Sequence, residues 1–350
     1  MRILFIKPKH IGDSLILTPT IVAVKQACPD AEIWVAVRRG CEAILAGCPE
    51  IDRILTLPGV EKTDRRPGDL WRQVEVLLSL WSVKFDYVFE LGDGHRARFV
   101  AMLSRSKHRY SVKTTSPLKR LEQKRFTGMS SFDWQTCHRV EKDFYSVAEF
   151  LPLAKPIPPM RFERKFAKNW AKGNSLSDFC VVQIGTRQSF NRWNKEGWRD
   201  VCRHLLERFQ NVVISAGSVD HEKEEALWLL RELGPRLYCT LGKITWPEVA
   251  GLLYRAKLYV GLNTAAMHLA AACECPVVAL FGPSIEDHWY PWQVPYRIVT
   301  SEGYLAAQNP VERYAQVKQR SMDQIQSRDV IASCDSLLNE LSTAAVSAPS

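Results

Sequence analysis

Three short stretches of this chain carry residue types and spacings that could do chemistry. Each lies where an apolar run gives way to a helical pattern. Ligands of open α/β sheets gather at the carboxyl ends of strands, so that position is itself informative. The first stretch is Lys7-Pro8-Lys9-His10-Ile11-Gly12-Asp13-Ser14. Gly12 permits a tight turn, and Asp13 falls at the mouth of the first helix, where the helix dipole favours a carboxylate. A carboxylate there can take a proton from an attacking hydroxyl. Taken alone, it reads first as an ordinary capping residue.

The second stretch is Val260-Gly261-Leu262-Asn263-Thr264-Ala265-Ala266-Met267-His268-Leu269. A strand is expected to end near Gly261 and a helix to begin near Thr264. Small side chains in that first turn let a diphosphate approach free backbone N–H groups, with the Thr264 hydroxyl as a further donor. His268 lies one turn on and faces the same way. A capped helix with an Ala-rich packing face fits the same residues. The pattern is not GxGxxG, so a dinucleotide-dependent dehydrogenase gains nothing from it. The third stretch holds Gly185-Thr186-Arg187 and Asn191-Arg192-Trp193. A hydroxyl and a guanidinium beside a Gly turn suit a phosphate oxygen, and a polar loop anchored by Trp193 suits them equally.

The elements that would position these residues alternate. Strands are predicted at Arg2–Lys7, Ala31–Val37, Ile51–Leu57 and Phe85–Leu91, with helices at Asp13–Ala27 and Leu70–Val83. Further strands are predicted at Phe179–Ile184, Val212–Ser215, Arg236–Thr240, Leu258–Leu262 and Val277–Phe281. Strands separated by helices imply right-handed βαβ units and parallel sheets. Thr245-Trp246-Pro247-Glu248 is a capping box that opens another helix. The segment from Lys113 to Gln135 breaks the rhythm and reads as a long loop. The run Pro152-Leu153-Ala154-Lys155-Pro156-Ile157-Pro158-Pro159 reads as a linker. The expected organisation is therefore α/β: a doubly wound domain over residues 1–155, a second over 156–327, and a final helix and tail over 328–350.

A chain of 350 residues is comfortable for two such domains, and 46% apolar with 24% charged residues excludes general disorder. No apolar run approaches the roughly 20 residues that span a bilayer, and Met1–Ile6 is too short for a secretory core. The ten cysteines are scattered with no CxxC pair, which points to thiols packed as small hydrophobes rather than a metal site. A cytoplasmic protein is expected. The net charge of +9 is uneven: between Arg96 and Arg125 there are ten Lys or Arg residues against one acid, Glu122. Such a block suits a polyanion, whether nucleic acid, acidic lipid or phosphorylated glycolipid, or forms a merely solvated face.

Taken in order, these motifs resemble glycosyltransferase family nine, the lipopolysaccharide heptosyltransferases, and within it the heptosyltransferase III (RfaQ-like) branch. The resemblance covers nearly the whole chain. It rests on Ile6 to Pro19, on Gly242-Lys243-Ile244-Thr245-Trp246-Pro247-Glu248, on Gly261–Ala272, and on Phe281-Gly282-Pro283 with Trp289-Tyr290-Pro291-Trp292. It implies a GT-B architecture, two Rossmann-like domains facing across a cleft, with the final helix crossing back to the first. It implies inverting, metal-independent transfer from ADP-L-glycero-D-manno-heptose, with no cofactor and Asp13 as general base.

Carried over residue by residue, Thr186, Asn191 and Arg192 fall where the family contacts phosphate. Glu222 falls where an acid holds the ribose, and Ile244 where backbone meets adenine. Asn263, Thr264, Ala265 and His268 fall in the donor heptose and diphosphate loop. Lys7, Lys9, His10, Arg96, Arg98 and Arg120 are the expected contacts to a lipid A–Kdo–heptose acceptor. Peripheral association with the anionic inner-membrane surface follows, without nucleic acid as a partner. Two positions depart from the family pattern: Asn263 stands where Asp is usual, and Asn191 where Lys is usual. Asn263 keeps hydrogen bonding but loses the charge, which opens the alternative of a different sugar donor. A non-catalytic polyanion-binding protein is the other alternative.

Overall fold

The computed structural model describes residues 1–58, 67–113, 120–170, 176–301 and 315–347. The chain divides into two compact units, Met1–Glu163 and Arg164–Ser350.

In the first unit the strands are β1 (Arg2–Lys7), β2 (Glu32–Arg38), β3 (Arg53–Leu57), β4 (Lys84–Glu90), β5 (Arg105–Ser111) and β6 (Gly128–Met129). They form one parallel sheet in the order β3-β2-β1-β4-β5-β6. The helices are α1 (Ile11–Ile16), α2 (Thr18–Ala27), α3 (Glu42–Leu45), α4 (Asp69–Ser82), α5 (His95–Leu103), α6 (Arg120–Arg125) and α7 (Arg139–Ala148). The single helix expected over Asp13–Ala27 is two, because Pro19 lacks an N–H and its ring excludes the carbonyl of Leu15. That carbonyl instead accepts from the Thr18 hydroxyl at 2.6 Å. The expected loop at 113–135 contains α6 and the edge strand β6, with 114–119 outside the described residues.

The proline run does not end the first unit. Phe162 is buried against Gly47, where an added Cβ would stand 2.3 Å from its ring. Arg161 N donates to Thr18 Oγ1 at 2.8 Å and Glu163 N to Gly47 O at 2.7 Å. These contacts tie the chain down well past residue 155, so the division falls at 163.

The second unit repeats the plan with β7 (Phe179–Gln183), β8 (Asn211–Ser215), β9 (Leu237–Cys239), β10 (Tyr259–Leu262), β11 (Val277–Phe281) and β12 (Tyr296–Thr300). The parallel order is β12-β11-β10-β7-β8-β9. Its helices are α8 (Lys195–Arg208), α9 (Asp220–Leu233), α10 (Trp246–Leu253), α11 (Ala265–Ala272), α12 (Glu286–Trp289) and α13 (Ser327–Ser347). The buried stripe of α13, Val330, Cys334 and Leu337, sits in the core of this unit with Trp198, Val201 and Leu205 of α8. The described thiols are all free, seven of the ten are buried, and burial raises those of Cys180, Cys202 and Cys275.

Candidate functional site

Each sheet has one point where strand order reverses, and in open α/β sheets that switch point is where ligands bind. In the first unit it lies between β1 and β4; in the second it lies between β7 and β10. Most of the residues singled out from sequence follow the carboxyl ends of these strands, while Arg120, Glu222 and Ile244 follow β5, β8 and β9.

At the first switch point, Asp13 sits in α1, partly exposed, and its Oδ2 accepts from His10 N at 3.1 Å. One oxygen therefore performs the capping role. Lys9 and His10 are exposed on the same turn. Sequence reasoning missed what surrounds Asp13. Helix α7 presents Arg139, Lys142 and Asp143 on one face at i, i+3 and i+4 spacing. Its start is fixed by His138, whose N donates to Glu141 Oε2 at 2.9 Å and whose Nδ1 accepts from Val140 N at 3.1 Å.

Asp143 is fully buried and forms an ion pair with Lys7, itself only 3% exposed. Burial raises the Asp143 carboxyl, with Lys7 pulling against it. Burial lowers the Lys142 ammonium to about 8, opposed by Asp143. Arg139 and Lys142 lie over the Trp134 ring at 4.6 and 4.3 Å. The Trp134 indole N–H is anchored to Lys113 O at 2.6 Å. Asp93, in the left-handed region at φ 47°, adds a carboxylate beside Arg139 and Lys142. Buried Glu90 accepts from Ser111 Oγ at 2.6 Å, and burial raises its carboxyl. A signal for this cluster existed in the sequence: Asp143 interrupts the Val140, Phe144, Val147 stripe of its helix.

The expected acceptor contacts divide. Arg98 is buried and donates to Glu122 Oε1 at 3.1 Å, so its charge is matched inside the fold, as a buried charge must be. Arg96 is half-buried, donates to Pro58 O, and burial lowers its guanidinium. Lys7 is held by Asp143. The side chain of Arg120 lies outside the described residues. The basic block as a whole is no single face.

At the second switch point the loop after β7 carries Thr186 and Asn191, both buried, and exposed Arg187 and Arg192. Gln188 joins the two: its N donates to Thr186 Oγ1 at 3.4 Å, and its Oε1 accepts from Asn191 Nδ2 at 3.2 Å. Asn191 Oδ1 is buried with no donor among the described residues, an expensive state unless something else supplies one. After β10, Asn263 N donates to Leu280 O at 3.2 Å, and Thr264 adopts the extended geometry that opens α11. Ala265 begins that helix. His268 is buried, 6.2 Å from the Trp289 ring.

Glu222, in the first turn of α9, is buried and accepts from Gly217 N at 2.5 Å. An added Cβ on Gly185 would stand 2.1 Å from Glu222 Oε2, so a larger residue there must displace the Glu222 carboxylate. An added Cβ on Gly242, at φ +66°, would stand 2.6 Å from the backbone of Gly217 and Ser218. The loops after β7, β8 and β9 are thus joined through Gly185, Glu222, Gly217 and Gly242. Ile244 is half-buried at the β9 end of this row. Glu225, one turn beyond Glu222, is raised to about 7 by burial and by Glu222, with Arg192 opposing. Thr245 N donates to Glu248 Oε2 at 2.7 Å, and this bond lowers the Glu248 carboxyl. Among the described residues no cluster of three His, Cys, Asp or Glu could hold a metal.

Two parallel six-stranded sheets with helices define an α/β GT-B fold, the architecture of a class of glycosyltransferases. Glycosyltransferase family 9 (heptosyltransferase) matches residues 75–318, and the chain belongs to that family of glycosyltransferases. Lipopolysaccharide heptosyltransferase 3 of Escherichia coli is 24% identical over 342 residues, covering 95% of this chain and 98% of the relative. Lipopolysaccharide heptosyltransferase 2 of Salmonella typhimurium is 22% identical, covering 85% and 88%. Among solved structures, a family 9 glycosyltransferase from Veillonella parvula superposes with a TM-score of 0.81 at 18% identity over 97% of both chains. The ADP-heptose lps heptosyltransferase II of E. coli superposes at 0.76 and 17% identity, covering 98% of this chain and 100% of that one.

Proposed function

We propose that this chain transfers heptose from ADP-L-glycero-D-manno-heptose to the inner core of lipopolysaccharide, with inversion and without a metal. The acceptor is handled by the first unit and the donor by the second. Asp13 takes the proton from the attacking hydroxyl through the carboxylate oxygen not bonded to His10 N. Proton removal by a positioned carboxylate contributes about 10²–10⁴ in rate. Lys9 and His10, with Arg139 and Lys142 behind them, form the cationic ground that receives an acceptor bearing carboxylates and phosphates.

On the donor side, Glu222 holds the ribose and the backbone around Ile244 meets the adenine. Thr186, Asn191 and Arg192 take the diphosphate. The mouth of α11, from Asn263 through Ala265 to His268, takes the developing charge on the leaving group. One observation carries this reading: Asp13 in the first unit, and Thr186, Asn191 and the Asn263–His268 turn in the second, stand at topological switch points. The names of relatives support it, among them an E. coli heptosyltransferase solved with ADP and with ADP-2-deoxy-2-fluoro heptose. The acceptor places the protein at the cytoplasmic face of an anionic membrane, consistent with no described helix being long and apolar enough to cross one.

A second reading keeps the reaction and changes the sugar, and Asn263 motivates it. Turnover with ADP-heptose, measured beside other ADP- and UDP-sugars on a core-truncated lipopolysaccharide, decides between the two. ADP-heptose is expected to be the preferred donor by at least tenfold. Preference for a non-heptose sugar overturns the heptose assignment.

A further inference from the structure

Helix α4 is apolar on two sides. Val76 and Leu80 face the core of the first unit and are buried there. Leu70, Trp71, Leu78 and Trp81 are 60–75% exposed, and Val74 is 38% exposed. At 100° per residue these five side chains fall within one arc of about 100°, turned away from the buried pair. The acids of the helix lie off that arc: Asp69 is ion-paired with Arg39, and Glu75 stands at its flank. From Leu70 to Trp81 the stripe runs about 16 Å at 1.5 Å per residue. Water-facing helices carry polar residues on this side, so the stripe needs an apolar partner.

The carboxyl end of the same stripe is basic. Trp81 lines a cavity of about 370 Å³ with Lys84, Arg105, Lys107, Arg109 and Arg125. Arg105 Nη1 donates to the Trp81 carbonyl at 3.3 Å, and Arg109 is braced by Ala101 O and Ser104 O at 3.0 and 2.6 Å. Lys84, Arg105, Lys107 and Arg125 are exposed. Because Lys84 and Arg105 open β4 and β5, this cavity lies at the amino end of the sheet. It is about 20 Å, by strand rise, from the carboxyl end of β4 beside Asp13.

We propose that the exposed face of α4 and this cavity form one docking surface for an anionic lipid bilayer. Leu70, Trp71, Leu78 and Trp81 enter the interface, where Trp is favoured, and the cavity's cations take lipid phosphates. The charge complementarity selects the occupant: a second copy of this chain would bring the same cations against one another, and a neutral surface would leave them unmatched. The inference rests on the proposed function only in that the acceptor is lipid-anchored. The docking surface then fixes the unit to the membrane at a set distance from Asp13.

The test uses the full chain with vesicles and no sugar substrate. Sedimentation is expected with phosphatidylcholine vesicles containing phosphatidylglycerol, weakening with salt, and not with phosphatidylcholine alone. Trp71→Ser/Leu78→Ser/Trp81→Ser is expected to weaken binding at least about tenfold, and Arg105→Ser/Lys107→Ser about fivefold per charge removed. These exposed substitutions are expected to leave Tm unchanged and to leave transfer to a lipid-free core saccharide unchanged, while transfer to vesicle-embedded acceptor falls. Equal binding of the triple variant and the wild type, or equal binding to neutral and anionic vesicles, overturns the surface. So does an α4-dependent dimer in sedimentation velocity. Loss of transfer with vesicle binding intact overturns the proposed function alone.

Discussion

The two switch points share a topology and differ in how they are built. The first is crowded with charge from segments far apart in sequence: Lys7, Glu90, Lys142 and Asp143 are buried, and Asp143 and half-buried Arg139 lie within electrostatic reach of Asp13. The second is built by subtraction: Gly185, Gly217 and Gly242 let three loops close on Glu222, and Ala265 and Ala266 keep the mouth of α11 small. A site that moves a proton needs a tuned field, which buried charges supply. A site that grips a diphosphate needs backbone N–H groups within reach, which small residues supply. The proposed function accordingly gives catalysis to the first and donor binding to the second.

Four experiments sharpen or break that division, given from the largest effect to the smallest. Asp143→Ala removes the partner of buried Lys7, and the uncompensated charge should cost the first unit about 3–5 kcal/mol in urea unfolding. An unchanged midpoint would show that the pair is not the keystone of that site. Gly185→Ala forces a Cβ into Glu222 and should weaken ADP binding with about 1–3 kcal/mol of destabilisation. Calorimetric titration with ADP checks it, and undiminished affinity would remove Glu222 from the donor site.

The third is a pH profile. Lys142 has its ammonium lowered by burial from 10.5 to about 8. Between those values the unfolded chain binds more protons than the folded one, so the group's contribution to stability grows as pH rises through that window and is lost as pH falls through about 8. The charge offered to an anionic acceptor moves the other way. Acceptor KM should therefore rise above pH 8 in the wild type, and Lys142→Met should be high and flat. A wild-type profile without that rise separates Lys142 from the acceptor. The fourth and smallest is Asn263→Asp, which restores the carboxylate usual in the family and should change donor KM about threefold or less. A switch of preferred sugar would instead make position 263 a specificity determinant.

The difference in construction also explains what was legible in the sequence. The parallel sheets were readable because β1, β2, β7 and β11 are short apolar runs bounded by turns. The residues proposed for the donor could be picked out because their small side chains and hydroxyls lie within short segments such as Asn263–His268. The charged cluster near Asp13 could not, beyond Lys7 to Asp13, because its other members come from β4 and α7 and meet only through folding. Strand β5, Arg-Ser-Lys-His-Arg-Tyr-Ser, was obscured by its charges, which read as one basic block. In the structure that block separates into the inward pair Arg98–Glu122 and the outward rim at Arg105, Lys107 and Arg125. The boundary at residue 163 was hidden because Phe162 fills the space over Gly47, a contact that no linear pattern announces.

The division of labour is tested most directly by Asp13→Asn, measured twice: by single-turnover transfer of heptose from ADP-heptose and by ADP titration. The account predicts a fall in the transfer rate of about 10²–10⁴ with ADP affinity unchanged. A variant that still transfers at the wild-type rate, or one that loses ADP binding as well, contradicts it.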